Sequence, residues 1–214
     1  MLTKIKEYLF LTLKPGGFKA AFYWFSKRIF RVDFYGFFSI SLTESVKISN
    51  DNYQLITVSN LKELAAIPED LISIFDKKSD STVKNRITKG GHFYALVDSG
   101  KPISQLEIYQ PFPIEVDTPI DLQINIDNSF RFLGFLSTYP AYEKKGFATL
   151  LISLAMQDIN KKGVSKLLTH IRLSNIKSIR AFENNGWKYM GSIITTHSGS
   201  LLKRPNSLIK TNKI

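Results

Sequence analysis

The sequence predicts an α+β domain in which strands and helices alternate, and three observations in its second half carry that reading. Residues 130–138, FRFLGFLST, are an aromatic, apolar run of strand length. Residues 149–163, TLLISLAMQDINKKG, place Leu150, Leu151, Leu154 and Ala155 at helical spacing and close on a glycine. Between them lies PAYEKKGFA, a short basic loop. KLLTHIRLSN then reads as a strand, NIKSIRAFENNGW as a helix closed by Gly186, and KYMGSIITT as another strand. The order is strand, loop, helix, strand, helix, strand.

The first half extends the pattern. YQLITVS, from Tyr53, reads as a strand, followed by helical segments at residues 61–66 and 70–75 and a polar helix-like run at 81–88. HFYALVDSGKPISQLEIYQ predicts a hairpin, because Asp98-Ser99-Gly100-Lys101 is turn chemistry between two apolar runs. Ser198-Gly199-Ser200 turns the last strand into a further one, SLLKR. A chain of 214 residues, 43% hydrophobic and 22% charged, suffices for one well-buried domain and is too short for two large ones. Zero cysteines exclude disulfides, thiolate metal sites and an acyl group parked on sulfur. The three histidines, His92, His170 and His197, are scattered, so no metal is expected.

The loop at residues 140–151 is the chemical centre of the sequence. Backbone N–H groups at a helix N-terminus are unpaired and carry the positive end of the helix dipole, so they bind anions. Gly146 lets backbone approach a ligand, Ala148 leaves the turn open, Thr149 adds a hydroxyl, and Lys144 and Lys145 supply charge for a pyrophosphate or 3′-phosphate. A solvated loop capping an ordinary helix is the competing reading of Lys-Lys-Gly alone.

Pro140-Ala141-Tyr142-Glu143-Lys144-Lys145-Gly146-Phe147-Ala148 resembles the cofactor-loop signature of the GCN5-related N-acetyltransferases (GNAT). A second GNAT-like signature follows as Asn175, Ser178, Phe182 and Gly186-Trp187, with Asn175 lying 29 residues beyond Gly146. The resemblance is close over residues 130–194 and looser from Tyr53. It implies a GNAT fold with a central mixed sheet of about seven strands, splayed between strands four and five. It also implies an acyl-CoA co-substrate, acetyl-CoA first, and direct transfer to an amine in a ternary complex.

The same resemblance assigns roles residue by residue. Leu136, Ser137 and Thr138 match the fourth-strand backbone that pairs with pantetheine, residues 144–149 (Lys144, Lys145, Gly146, Phe147, Ala148, Thr149) match the pyrophosphate loop, and Asn175 matches an asparagine that contacts the cofactor. Ser178 and Phe182 complete the cofactor set. At Phe182 many members carry the Tyr that protonates the departing thiolate, so that acid is missing. Water, Ser178, Tyr139 or Tyr142 can replace it, or CoA leaves as thiolate. HIRLSN resembles the fifth strand of ribosomal-protein N-terminal acetyltransferases, where a Glu lies five residues before the Asn; His170 stands there. A histidine suits a base at neutral pH, although a packed structural role competes. Glu107 is the second candidate base.

Residues outside this core set the remaining expectations. In FKAAFYWFSKRIFRV, Phe18, Phe22, Phe25 and Ile29 fall on one helical face, and residues 1–40 carry seven basic and two acidic side chains. Residues 1–48 therefore read as a basic, aromatic arm, 49–204 as the acyltransferase domain and 205–214 as a polar tail. No apolar run is long enough to span a bilayer, and no signal peptide is convincing. The arm has two readings: a helix lying on an anionic membrane, or one packed on the core or forming a homodimer. The resulting location is cytoplasmic, peripheral on the inner membrane face in the first reading. The net charge of +11 partly reflects a surface for polyanionic CoA; basic residues are dispersed, so nucleic acid is disfavoured as a partner. Glu115, Asp117, Asp121 and Asp127 form an acidic insert without Lys or Arg, either a solvated loop or a face for a cationic amine. The acceptor amine stays open between a small metabolite or amino sugar, a protein N-terminus and aminoacyl-tRNA, and a non-catalytic acyl-CoA-binding module stands as the alternative.

Overall fold

A computed structural model describes residues 17–42, 53–67, 83–110, 114–115, 122–125, 127, 129–196, 201–203 and 210–213. Helix α1 (Gly17–Phe30) leads into β1 (Val32–Ser41), then β2 (Gln54–Val58), α2 (Leu61–Ala65), α3 (Val83–Thr88), β3 (His92–Asp98) and β4 (Lys101–Tyr109). Short strands β5 (Ile114–Glu115) and β6 (Leu122–Asn125) precede β7 (Phe130–Thr138). The second half runs α4 (Phe147–Lys161), β8 (Lys166–Arg172), α5 (Ile176–Glu183), β9 (Lys188–Thr196), β10 (Leu201–Lys203) and β11 (Lys210–Lys213). The helix expected at residues 70–75, the segment before residue 17 and the turn at Ser198-Gly199-Ser200 lie outside the described residues.

The main sheet has the order β10-β9-β1-β8-β7-β4-β3-β2. Every neighbouring pair is antiparallel except β7 with β8, which makes the sheet mixed. Turn chemistry sets the β3–β4 hairpin: Asp98 faces Lys101, and the two residues between, Ser99 (φ 49°) and Gly100 (φ 79°), are both left-handed. That backbone twist matches the right-handed twist of the strands it joins.

The sheet holds eight strands, one more than expected, because β1 enters its interior. Phe37 pairs with His170 of β8 on one side and with Gly191 of β9 on the other. This corrects the reading of residues 1–48 as an arm outside the domain. Tyr35, Phe37 and Phe38 are at most 2% exposed, so the strand is buried on both faces. Such a strand lacks alternation and reads as a continuous apolar run, which here merged with the aromatic helix before it. The tail is corrected in part as well, since β11 pairs with β6 in a second, three-stranded sheet of order β11-β6-β5.

Helix α4 drives the main core. Leu151, Ile152, Leu154, Ala155 and Ile159 form its buried face and pack with Leu106, Ile108, Leu133, Leu167 and Ile171 of the sheet. Each such leucine or isoleucine contributes about 1.5–3 kcal/mol on leaving water. The helix ends where Gly163 (φ 85°) turns left-handed and donates to the Asn160 carbonyl at 2.9 Å. On the opposite sheet face a smaller cluster, Val58, Ile87, Phe93, Ala95 and Val97, joins Leu64 of α2 to the sheet.

Candidate active site

The site begins where the sheet splits. Strands β7 and β8 pair only at Phe130↔Lys166, Arg131↔Leu167 and Phe132↔Leu168, and then part. At the fork the Thr169 hydroxyl donates to the Leu133 carbonyl at 2.7 Å, a side chain standing where the ladder's next backbone donor would be. Just beyond it, Phe135 sits at φ 51° while the β4–β7 register shifts between Gln105 and Glu107. This bulge re-aims β7. A left-handed non-glycine residue costs about 1–3 kcal/mol and persists only where surrounding structure holds it. The splay expected between the fourth and fifth strands of the fold lies here.

Past the fork, Leu136, Ser137 and Thr138 are half-buried on a β7 edge that no longer pairs with β8. Their other edge is fixed to β4: Ser104 Oγ donates to the Ser137 carbonyl at 3.0 Å and lies 2.9 Å from Thr138 Oγ1. The Tyr139 N–H then donates to the Ile103 carbonyl at 2.9 Å, and a single turn, Pro140–Tyr142, leads into the basic loop.

That loop is shaped for an anion. Lys144 (φ 64°) and Gly146 (φ 83°) are left-handed, and Gly146 caps α4 without any side-chain cap or acidic residue in the first turn. The first intrahelical bond runs from the Leu150 N–H to the Gly146 carbonyl at 3.0 Å. The amides of Phe147, Ala148 and Thr149 therefore have no acceptor within the helix. Lys144 and Lys145 are exposed beside them, and a Cβ at Gly146 would meet open space. Phe147 offers a ligand only its amide: its ring is buried against Tyr53 (5.0 Å between centroids) and Tyr142 (5.9 Å) and anchors the loop.

The partners expected on α5 divide. Asn175 is exposed and caps that helix, its side-chain oxygen accepting the Ser178 N–H at 3.2 Å. Ser178 is half-buried beside it. Phe182, assigned above to the cofactor set, is 2% exposed and packs edge-to-face on Trp187 at 4.9 Å. It is a core residue, drawn inward because a ring without a hydroxyl has no polar end to keep in the cleft. Sequence reasoning missed Asn185, which donates to the carbonyls of Thr149 (3.1 Å) and Ala181 (2.9 Å) and also meets the Ser153 hydroxyl, tying α4 to α5. Its position in Asn-Asn-Gly at a helix end is the signal that marked it. Glu143 and Lys177 were missed too. They pair at 2.8 Å, and that contact holds the Glu143 carboxyl below its ordinary range.

Both candidate bases lie on one sheet face. Glu107 stands opposite Gly134 across the β4–β7 ladder, two pairings from Phe132 and so on the same face, and the His170 ring stacks on Phe132 at 5.3 Å and 25°. Gly134 keeps the surface between them low, since a Cβ there would press on Tyr109 at 3.1 Å. Glu107 is 3% exposed, and Arg86 of α3 lies 3.4 Å from its carboxylate. Burial raises its pKa to about 7, and the Arg86 charge only partly offsets that. His170 is half-buried, walled by Phe132, Tyr35 (5.9 Å) and Phe37 (6.3 Å). Burial also holds the Tyr139 phenol above its ordinary range, so it keeps its proton at neutral pH. Of the acidic insert, Asp127 accepts the Ser129 N–H at 2.7 Å and shapes the entry to β7, whereas Asp117 and Asp121 lie outside the described residues.

Residues 60–187 match the Acetyltransferase (GNAT) family. Among solved structures, the chain is similar to a GNAT-family acetyltransferase from Novosphingobium aromaticivorans, with 16% identity, a TM-score of 0.52, and coverage of 77% of this chain and 63% of that one. A Drosophila protein gives 15% identity, a TM-score of 0.50, and coverage of 79% and 52%. At these identities the likeness is one of fold, and the chain spans less than two thirds of either neighbour. No curated protein matches it.

Proposed function

This chain belongs to the GNAT acetyltransferase family, and from that premise we propose that it transfers an acyl group, acetyl first, from acyl-CoA to a primary amine by direct attack with both substrates bound. The observation that carries the reading is the parting of β7 from β8 directly beside the uncapped N-terminus of α4. An open strand edge suits the amides of a pantetheine arm, and free helix amides with Lys144 and Lys145 suit a pyrophosphate.

In the reaction the amine nitrogen forms a bond to the thioester carbon, the C–S bond breaks, and the ammonium proton must go to a base. Glu107 is the base the geometry favours. With a pKa near 7 it is partly ionised at neutral pH and strong enough to accept a proton, which a normal glutamate is not. Its burial requires that the proton travel through a water. His170 is the second reading, favoured by its greater exposure and its position past the fork. The departing sulfur takes a proton from Tyr139 or water, or leaves as thiolate. The absence of cysteine supports direct transfer over an acyl-enzyme on sulfur.

The test is CoA release from acetyl-CoA across amino sugars, small amines, peptide N-termini and aminoacyl-tRNA. Turnover on one class is the expected outcome. Saturable acetyl-CoA binding with no turnover on any class would instead support the non-catalytic module, a reading that the missing hydroxyl at Phe182 favours.

A further inference from the structure

We propose that α1 seats the protein on an anionic lipid surface, with its aromatic stripe entering the interface. A helix on a water-soluble domain ordinarily turns its apolar stripe toward the core. This one does the reverse. Phe18, Phe22, Phe25 and Ile29 share one face and are 82%, 59%, 52% and 54% exposed, with Phe30 at 66% beside them. The helix is docked by another side, where Ser26 is 3% exposed and the Tyr23 ring meets Phe34 of β1 at 5.0 Å.

The mount is firm. Only Arg31, held left-handed at φ 51°, separates α1 from β1, and β1 lies inside the main sheet. The stripe is thus presented from the domain's own framework. No described helix is long and apolar enough to cross a membrane, and at about 21 Å α1 is of a length to lie along an interface.

Charge selects the occupant. Residues 17–31 carry Lys19, Lys27, Arg28 and Arg31 and no acidic residue, and Arg28 and Arg31 are exposed. A second copy seated on the stripe would bring two such basic helices together, on chains of net charge +11 each. An anionic bilayer answers both features at once, attracting the cations and accepting the rings.

The experiment uses the full chain with vesicles of phosphatidylcholine alone and of phosphatidylcholine mixed with phosphatidylglycerol, at low and high salt. Phe18 and Phe25 are the residues to change, because Phe22 also contacts Phe34 and its loss would disturb the docking. The protein should co-sediment with the mixed vesicles, release partly in high salt and bind phosphatidylcholine weakly. The F18S/F25S variant should lose about tenfold or more in partitioning while binding acetyl-CoA like the parent. Absent binding to mixed vesicles, or equal binding by the variant, overturns the proposal. So does a concentration-dependent dimer in sedimentation equilibrium that the same variant abolishes, because the stripe then belongs to a second copy.

Discussion

The two walls of the candidate site are made of different material. The loop wall, Leu136 to Thr138 and the start of α4, presents mainly backbone: a strand edge that has parted from β8 and three helix amides, with Lys144 and Lys145 adding charge. The other wall, on the sheet face away from α4, presents side chains, Glu107 and His170, fixed among Arg86, Phe132, Tyr35 and Phe37. Backbone donors survive most substitutions around them, so the loop wall should fail gradually, through affinity. A buried side chain has no substitute, so the other wall should fail abruptly, through folding or through the chemical step.

The largest effect is expected at Phe37, which is fully buried in β1 and lies 6.3 Å from His170. Phe37→Ala should cost about 3–5 kcal/mol in urea unfolding. A loss below 1 kcal/mol would return residues 32–41 to the status of a peripheral arm. Next, Glu107→Gln should lower kcat about a hundredfold or more while leaving acetyl-CoA affinity unchanged, and should remove the rise in rate through about pH 7. If the pH profile survives in Glu107→Gln and vanishes in His170→Ala, the base is His170.

The loop wall should respond more gently. Gly146→Val puts a β-branched residue at φ 83°, and the strain should raise KM for acetyl-CoA about tenfold with kcat nearly intact. An equal fall in kcat would erase the contrast between the walls. Smaller still, Lys177→Ala leaves the Glu143 carboxylate unneutralised at the mouth of the anion site and should raise that KM two- to threefold, roughly what an exposed pair can supply. Adding Glu143→Gln should bring it back; failure of that rescue would mean Lys177 acts on its own.

Glu107 also leaves a mark on stability. The folded protein holds this proton up to about pH 7, whereas the unfolded chain releases it near the ordinary glutamate value of 4.5. The native state therefore binds more protons in that window, and stability falls as pH rises through it. Denaturation midpoints from acidic to neutral pH should show the slope in the parent and lose it in Glu107→Gln.

What the sequence disclosed follows the same division. The loop wall was legible because its parts are local: a strand, a glycine, two lysines and a helix sit in consecutive residues, and the strand at 130–138 matches its expected bounds. The hairpin at 98–101 was legible for the same reason. β1 was not, since a strand buried on both faces carries no period and its partners lie more than a hundred residues away. The Arg86–Glu107 pair was hidden likewise, because nothing near Glu107 in sequence shows that an arginine from α3 will cover it. Phe182 marks the opposite failure: motif spacing placed it in the cofactor set and does not reveal that the ring turns to Trp187.

Amide hydrogen exchange with and without acetyl-CoA tests the central claim most directly. Exchange should slow at Phe147, Ala148 and Thr149 and along residues 136–138, while Glu107→Gln shows the same protection with little turnover. Unchanged exchange at those amides in protein saturated with acetyl-CoA would contradict the assignment of this cleft as the acyl-CoA site.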